Sequence, residues 1–73
     1  MQLIRWGIIG AGIIADKMAN AIKLHKNSTL ISVASRTKEK AERFALSHNI
    51  ESDSYTSLLT REDIDVIYIA TTH

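Results

Sequence analysis

The chain has 73 residues, 45% of them hydrophobic, and its 9 basic and 8 acidic side chains leave a formal net charge of +1. That length admits one domain at most, and the composition is that of a globular chain rather than a disordered one. The near-neutral balance leaves no electrostatic footprint for nucleic acid or an anionic membrane, no apolar run approaches the roughly 18–20 residues that span a bilayer, and the lack of cysteine excludes disulfides and thiolate metal sites while suiting a reducing, cytoplasmic setting.

Leu3 to Ile9 is short, rich in isoleucine and closed by glycine, which predicts a buried strand. Arg5 and Trp6 interrupt the run and no small-residue cleavage site follows, so it does not read as a secretory leader. After Gly10-Ala11-Gly12, the segment Ile13 to Leu24 predicts a helix with Ile14, Met18, Ala21 and Ile22 on its inner stripe. Asp16 in its first turn and Lys23, His25 and Lys26 near its end complement the helix dipole. Asn27-Ser28 reads as a turn and Leu30 to Ala34 as a second buried strand. Thr37 is a candidate N-cap for a helix over Lys38 to His48, with Ala41, Phe44 and Ala45 inward and Asn49 as its left-handed stop. Ile50 to Tyr55 holds a very short strand, Ser57 to Thr60 one helical turn, and Val66 to Ala70 a third clear strand. His25 and His48 read as surface residues at helix ends.

This alternation predicts an α/β fold with parallel strands and right-handed crossovers, in the order 3-2-1-4. Residues 1–73 then form the truncated first part of a doubly wound, Rossmann-type domain. Only the Ser57–Thr60 turn is available to cover the second sheet face. One alternate set of first-strand residues (Ile4, Trp6 and Ile8, or their neighbours Leu3 and Ile9) is therefore expected to lie open, and the outer edge of the last strand to lack a neighbour. Both features favour association between copies, a homo-oligomer.

The spacing Gly10-x-Gly12-x-x-Ala15 between strand and helix carries the chemistry. Gly10 supplies a tight turn, Gly12 lets a ligand approach the backbone, and Ala15 is small where helix crosses strand. The backbone N–H groups of Ile13 and Ile14, at the positive end of the helix, are the expected donors to a pyrophosphate. A nucleotide-hydrolase phosphate loop is excluded, because Ile13-Ile14 stand where Lys and Ser/Thr are required after Gly7 and Gly12. A methyltransferase-type glycine loop and a plain strand-to-helix turn are also compatible with the spacing. At the tip of the second strand, where a carboxylate selects NAD, the chain has Ser35-Arg36-Thr37. An arginine between two hydroxyls suits a 2′-phosphate, with Lys38 or Lys40 adding charge, so NADP is expected over NAD.

Gly10-Ala11-Gly12-Ile13-Ile14-Ala15, Val33-Ala34-Ser35-Arg36, Ser54-Tyr55 with Leu58-Leu59, and Asp65-Val66-Ile67-Tyr68-Ile69-Ala70-Thr71 together resemble the glucose–fructose oxidoreductase, inositol dehydrogenase and rhizopine-catabolism (Gfo/Idh/MocA) family over essentially the whole chain. The resemblance implies an NAD(P)-dependent oxidoreductase acting on sugars, polyols or related small molecules. It implies that Ala70, Thr71 and the residues after them, including His73, line the nicotinamide side of the cofactor. Thr72 stands where the family usually has proline. The family's Glu-Lys-Pro motif with its catalytic lysine, and its β-rich substrate domain, fall beyond His73. No catalytic residue and no metal ligand is therefore expected within these 73 residues. A dinucleotide-sensing module without catalysis and an inactive structural fragment are the other functions open to such a chain.

Overall fold

The structure, a computed structural model, describes residues 2–70. In chain order it contains β1 (Ile4–Ile9), α1 (Ile13–Leu24), β2 (Ser28–Ala34), α2 (Lys38–His48), β3 (Glu51–Asp53), α3 (Tyr55–Leu59) and β4 (Val66–Ile69). The four strands form one sheet in the order β3-β2-β1-β4, every pair parallel, as the alternation predicts. Two elements begin two residues earlier than expected. β2 begins at Ser28, and the turn falls earlier, closed by Ser28 N–H donating to the His25 carbonyl at 3.1 Å. α3 begins at Tyr55 rather than Ser57, because Ser54 caps it: its Oγ accepts the Ser57 N–H at 3.1 Å.

α1 and α2 cover one face of the sheet. Ile8, Leu30 and Val33 of the strands pack there against Ala15, Ala19 and Ile22 of α1 and Ala41, Phe44 and Ala45 of α2. The inner stripe of α1 is thus rotated from the expected one. Ile14 and Ala21 are exposed and Met18 half-buried, while two alanines are sealed because the helix crosses β1 and β2 closely. Ile8 is 0% exposed, so the expectation that an Ile4–Trp6–Ile8 set lies open fails: α1 and α2 cover Ile8, and only the strand's start, Leu3 and Ile4, is exposed. The opposite face is served by Leu58 of α3 and by Ile64. A Cβ on Gly7 would sit 2.9 Å from the Ile64 side chain, so the central strand is glycine where this thin cover comes closest. Ile69, on the edge strand β4, is 65% exposed.

The pairing of β1 with β2 shifts register between Trp6 and Gly7, leaving Ile31 opposite no β1 residue. Leu30 therefore packs with the helices. Ser32, 0% exposed, bonds instead to β3, donating to Asp53 Oδ2 at 2.5 Å with the Glu51 carbonyl at 3.0 Å.

His48 also departs from expectation: it is 6% exposed, not a surface residue. Its ring lies 4.5 Å from that of Phe44 and reaches across to α1, where its polar atoms find partners.

Two arginines tie down the start of β4. Arg61 pairs with Asp53 at 2.7 Å, Asp63 at 2.8 Å and Glu51 at 3.1 Å. Arg5 grips Asp65 with two N–H groups, at 2.9 and 3.1 Å, while the Arg5 backbone N–H donates to the same carboxylate at 2.9 Å. Those Arg5 bonds hold the Asp65 carboxyl down at about 2, against an ordinary 3.8. A depressed folded-state value stabilises the fold above the ordinary value and is lost as pH falls through the folded one. Urea midpoints measured from pH 5 to pH 2 are therefore expected to fall across that window, and Asp65→Asn to flatten the fall.

Candidate functional site

Gly10 is held in a backbone conformation that side chains disfavour, with φ +120°. Its N–H donates to the Ala34 carbonyl at 2.8 Å, and beside it the Ala70 N–H donates to the Ile9 carbonyl, also at 2.8 Å. The turn is thereby pinned between the ends of β2 and β4. A Cβ on Gly10 would lie 2.7 Å from the Ala70 carbonyl oxygen, so the approach itself requires glycine.

α1 starts from Gly12 with φ −95° and ψ −162°, and no side chain caps it. The first helical bond runs from Asp16 N–H to the Gly12 carbonyl at 3.0 Å. The amides of Ile13 and Ile14 come before it and have no helical acceptor. A Cβ on Gly12 would meet no heavy atom within 4 Å. The space over these bare amides is open and positively polarised, which is the fit a pyrophosphate requires.

A single cleft of about 660 Å³ brings together Gly10, Gly12, Ile13, Ile14, Ser35, Arg36 and Ala70 of the predicted residues, and adds Lys40 and Tyr55. Topology explains the gathering. The order 3-2-1-4 reverses direction beside β1, and the loops after β1 and β2 lead side by side into α1 and α2 at the carboxyl edge of the sheet, next to that reversal. Thr37 does not line this cleft. It occupies the N-cap position of α2 without a side-chain cap bond, and its N–H leans on Ser35 Oγ at 3.4 Å. Thr71 and His73 lie outside the described residues. Of the two lysines offered by the sequence, Lys40 lines the cleft, whereas Lys38 lines a neighbouring groove with Glu42 and Ser52. Lys40 is readable as a residue one helical turn beyond Thr37. Tyr55 becomes readable only once Ser54 is seen to start a helix. Among the described residues Arg36 and Lys40 make no ion pair, and no cluster of histidine and carboxylate groups is placed to hold a metal. None of the described helices is long and apolar enough to cross a membrane.

Comparison with known proteins gives this geometry its relatives. Residues 4–73 match the family described as "Oxidoreductase family, NAD-binding Rossmann fold", the Gfo/Idh/MocA group. The chain is 34% identical over 74 residues to trans-1,2-dihydrobenzene-1,2-diol dehydrogenase of Bos taurus, covering 96% of this chain and 22% of that protein. It superposes on a 3-ketoreductase from Actinomadura kijaniata, solved in complex with NADP, with a TM-score of 0.86 at 30% identity, covering 96% of this chain and 23% of that one. A myo-inositol dehydrogenase from Corynebacterium glutamicum superposes with a TM-score of 0.86 at 28% identity, over 96% of this chain and 21% of the other. The chain thus spans about a fifth of the length of the relatives it matches.

Proposed function

The chain belongs to the Gfo/Idh/MocA oxidoreductase family, and on that premise we propose that its 73 residues form the first part of a dinucleotide-binding domain that prefers NADP. The observation that carries the reading is the open space over Gly12, facing bare amides in a cleft that also takes in Ser35 and Arg36. Ile13 and Ile14 donate backbone N–H groups to the pyrophosphate. Ser35 and Arg36 receive the adenosine ribose and its 2′-phosphate, with Lys40 as a second cation and Thr37 behind them at the start of α2. Ala70, Thr71 and His73 lie along the nicotinamide side.

The bound nicotinamide supplies hydride transfer, and the substrate is a sugar, polyol or related small molecule. This choice is supported by relatives named for a dihydrodiol, an inositol and a 3-keto compound. The substrate's proton is handled outside these residues, and the chain's own part is to bind and orient the cofactor. The setting proposed is the cytoplasm, without nucleic acid or membrane partners. Copies of the protein are proposed to associate as a homo-oligomer. A sedimentation coefficient that stays monomeric at all concentrations would count against that last point.

Calorimetric titration with the two cofactors tests the reading. NADP⁺ is expected to bind more tightly than NAD⁺. Arg36→Ala is expected to weaken NADP⁺ by about 5- to 150-fold, the loss of a charge-assisted pair of roughly 1–3 kcal/mol, while NAD⁺ changes little. Equal losses for both cofactors would remove Arg36 from the specificity argument.

A further inference from the structure

His48 lies between two groups on the same side of α1, seven residues apart. Its Nε2 is 2.6 Å from Asp16 Oδ1, and its Nδ1 is 2.9 Å from Lys23 Nζ. An ammonium has no lone pair to offer, so Nδ1 accepts from Lys23 and Nε2–H donates to Asp16. The ring is 6% exposed and packed on Phe44, so its position is fixed. The result is a chain of cation, imidazole and carboxylate in which a residue outside the cleft engages Asp16.

That engagement matters because of what else stands near Asp16. Asp16, Lys40 and Arg43 line one groove of about 510 Å³, which begins at Gly12 and Ile13. Lys40 also lines the dinucleotide cleft. A carboxylate free to swing across this groove would pair with Lys40 or Arg43 and withdraw them from an anionic ligand.

We propose that His48 is a positioning residue for cofactor selectivity: by holding Asp16, it keeps Lys40 available to a phosphomonoester in the cleft that holds Ser35 and Arg36. The proposal rests on the dinucleotide reading given above. It extends that reading by assigning part of the preference for NADP to a buried side chain that does not line the cleft.

Titration calorimetry with NADP⁺ and NAD⁺ on the 73-residue chain and three variants tests it. His48→Phe keeps the aromatic packing and deletes both polar contacts. It is expected to lose about fivefold in NADP⁺ affinity, the size of one partly screened charge interaction, with NAD⁺ changed less than twofold. The D16N/H48F double variant is expected to regain the NADP⁺ affinity without regaining the thermal midpoint. A purely structural role would not yield that rescue. Asp16→Asn alone, at a largely exposed position, is expected to shift NADP⁺ affinity by less than twofold, since its charge is already held.

Unchanged NADP⁺ affinity in H48F, no rescue in the double variant, or marked tightening in D16N would each overturn the proposal while leaving the dinucleotide reading intact. If H48F does not fold, the D16N arm decides, together with the ¹⁵N shifts of the His48 ring. Those shifts must report the Nε2–H form at neutral pH, and the Nδ1–H form would overturn the proposal. A native chain that binds neither cofactor overturns the dinucleotide reading and this proposal with it.

Discussion

Replacing Gly12 with valine is expected to weaken binding of NADP⁺ and NAD⁺ alike and to leave the protein folded. The structure separates these effects. Gly12 has an ordinary extended backbone, and a Cβ there meets nothing within 4 Å, so the side chain enters space that no protein atom uses. The poorer helix cap and the stiffer unfolded chain act in opposite directions, and stability is expected to change by no more than about 1 kcal/mol. The same space is where the proposed pyrophosphate meets the Ile13 and Ile14 amides. Losing two hydrogen bonds to a charged group, at roughly 1.5–3 kcal/mol each, lowers affinity by about a hundredfold or more. Calorimetric titration and a thermal melt on one sample check both halves. Retained binding with an unchanged melt would mean that the open corner is not the phosphate site.

Gly10→Ala is expected to do the reverse and unfold the chain. The position combines φ +120° with a backbone oxygen 2.7 Å from where the Cβ would be. The conformation alone costs on the order of 1–3 kcal/mol for a residue with a side chain. The Ala70 carbonyl has little room to step aside, because the Ala70 N–H, in the preceding peptide, is bonded to the Ile9 carbonyl and holds the Ala70 Cα against β1. At about 0.05–0.15 kcal/mol per residue, a domain of this size has roughly 4–11 kcal/mol in all, so the combined penalty consumes much of its stability. Urea denaturation followed by circular dichroism reads the loss. A midpoint within experimental error of the native chain would refute the close approach.

The sequence made the architecture legible wherever one signal dominated. β1, β4 and the strand order follow from short β-branched runs separated by helix-length segments, and α2 ends on Asn49 at φ 57° as its left-handed stop requires. What escaped depended on partners distant in the chain. The inner stripe of α1 was hidden because apolarity favours Ile13 and Ile14, yet these flank the cleft and Ile13 is 77% exposed. The sealed positions are alanines, chosen by the closeness of helix and sheet rather than by hydrophobicity. His48 looked like a solvated helix end because its partners Asp16 and Lys23 lie 32 and 25 residues away. The cleft residues before and at the helix start were readable from glycine spacing. Lys40 was offered by the sequence as added charge, whereas Tyr55 joins them only through the packing of α3.

The unopposed Ile31 separates two properties of β2 that a regular strand keeps locked together. Residues on either side of it still present Leu30 and Val33 to the helices and Ser32 to β3, so the extra residue changes no facing and adds only bend and twist. Excising Ile31 would leave each side chain on its own side while swinging the strand's far end, with Ser35 and Arg36, to a new bearing. Selectivity in this fold could then be retuned by trajectory, without exchanging any residue that meets the ligand.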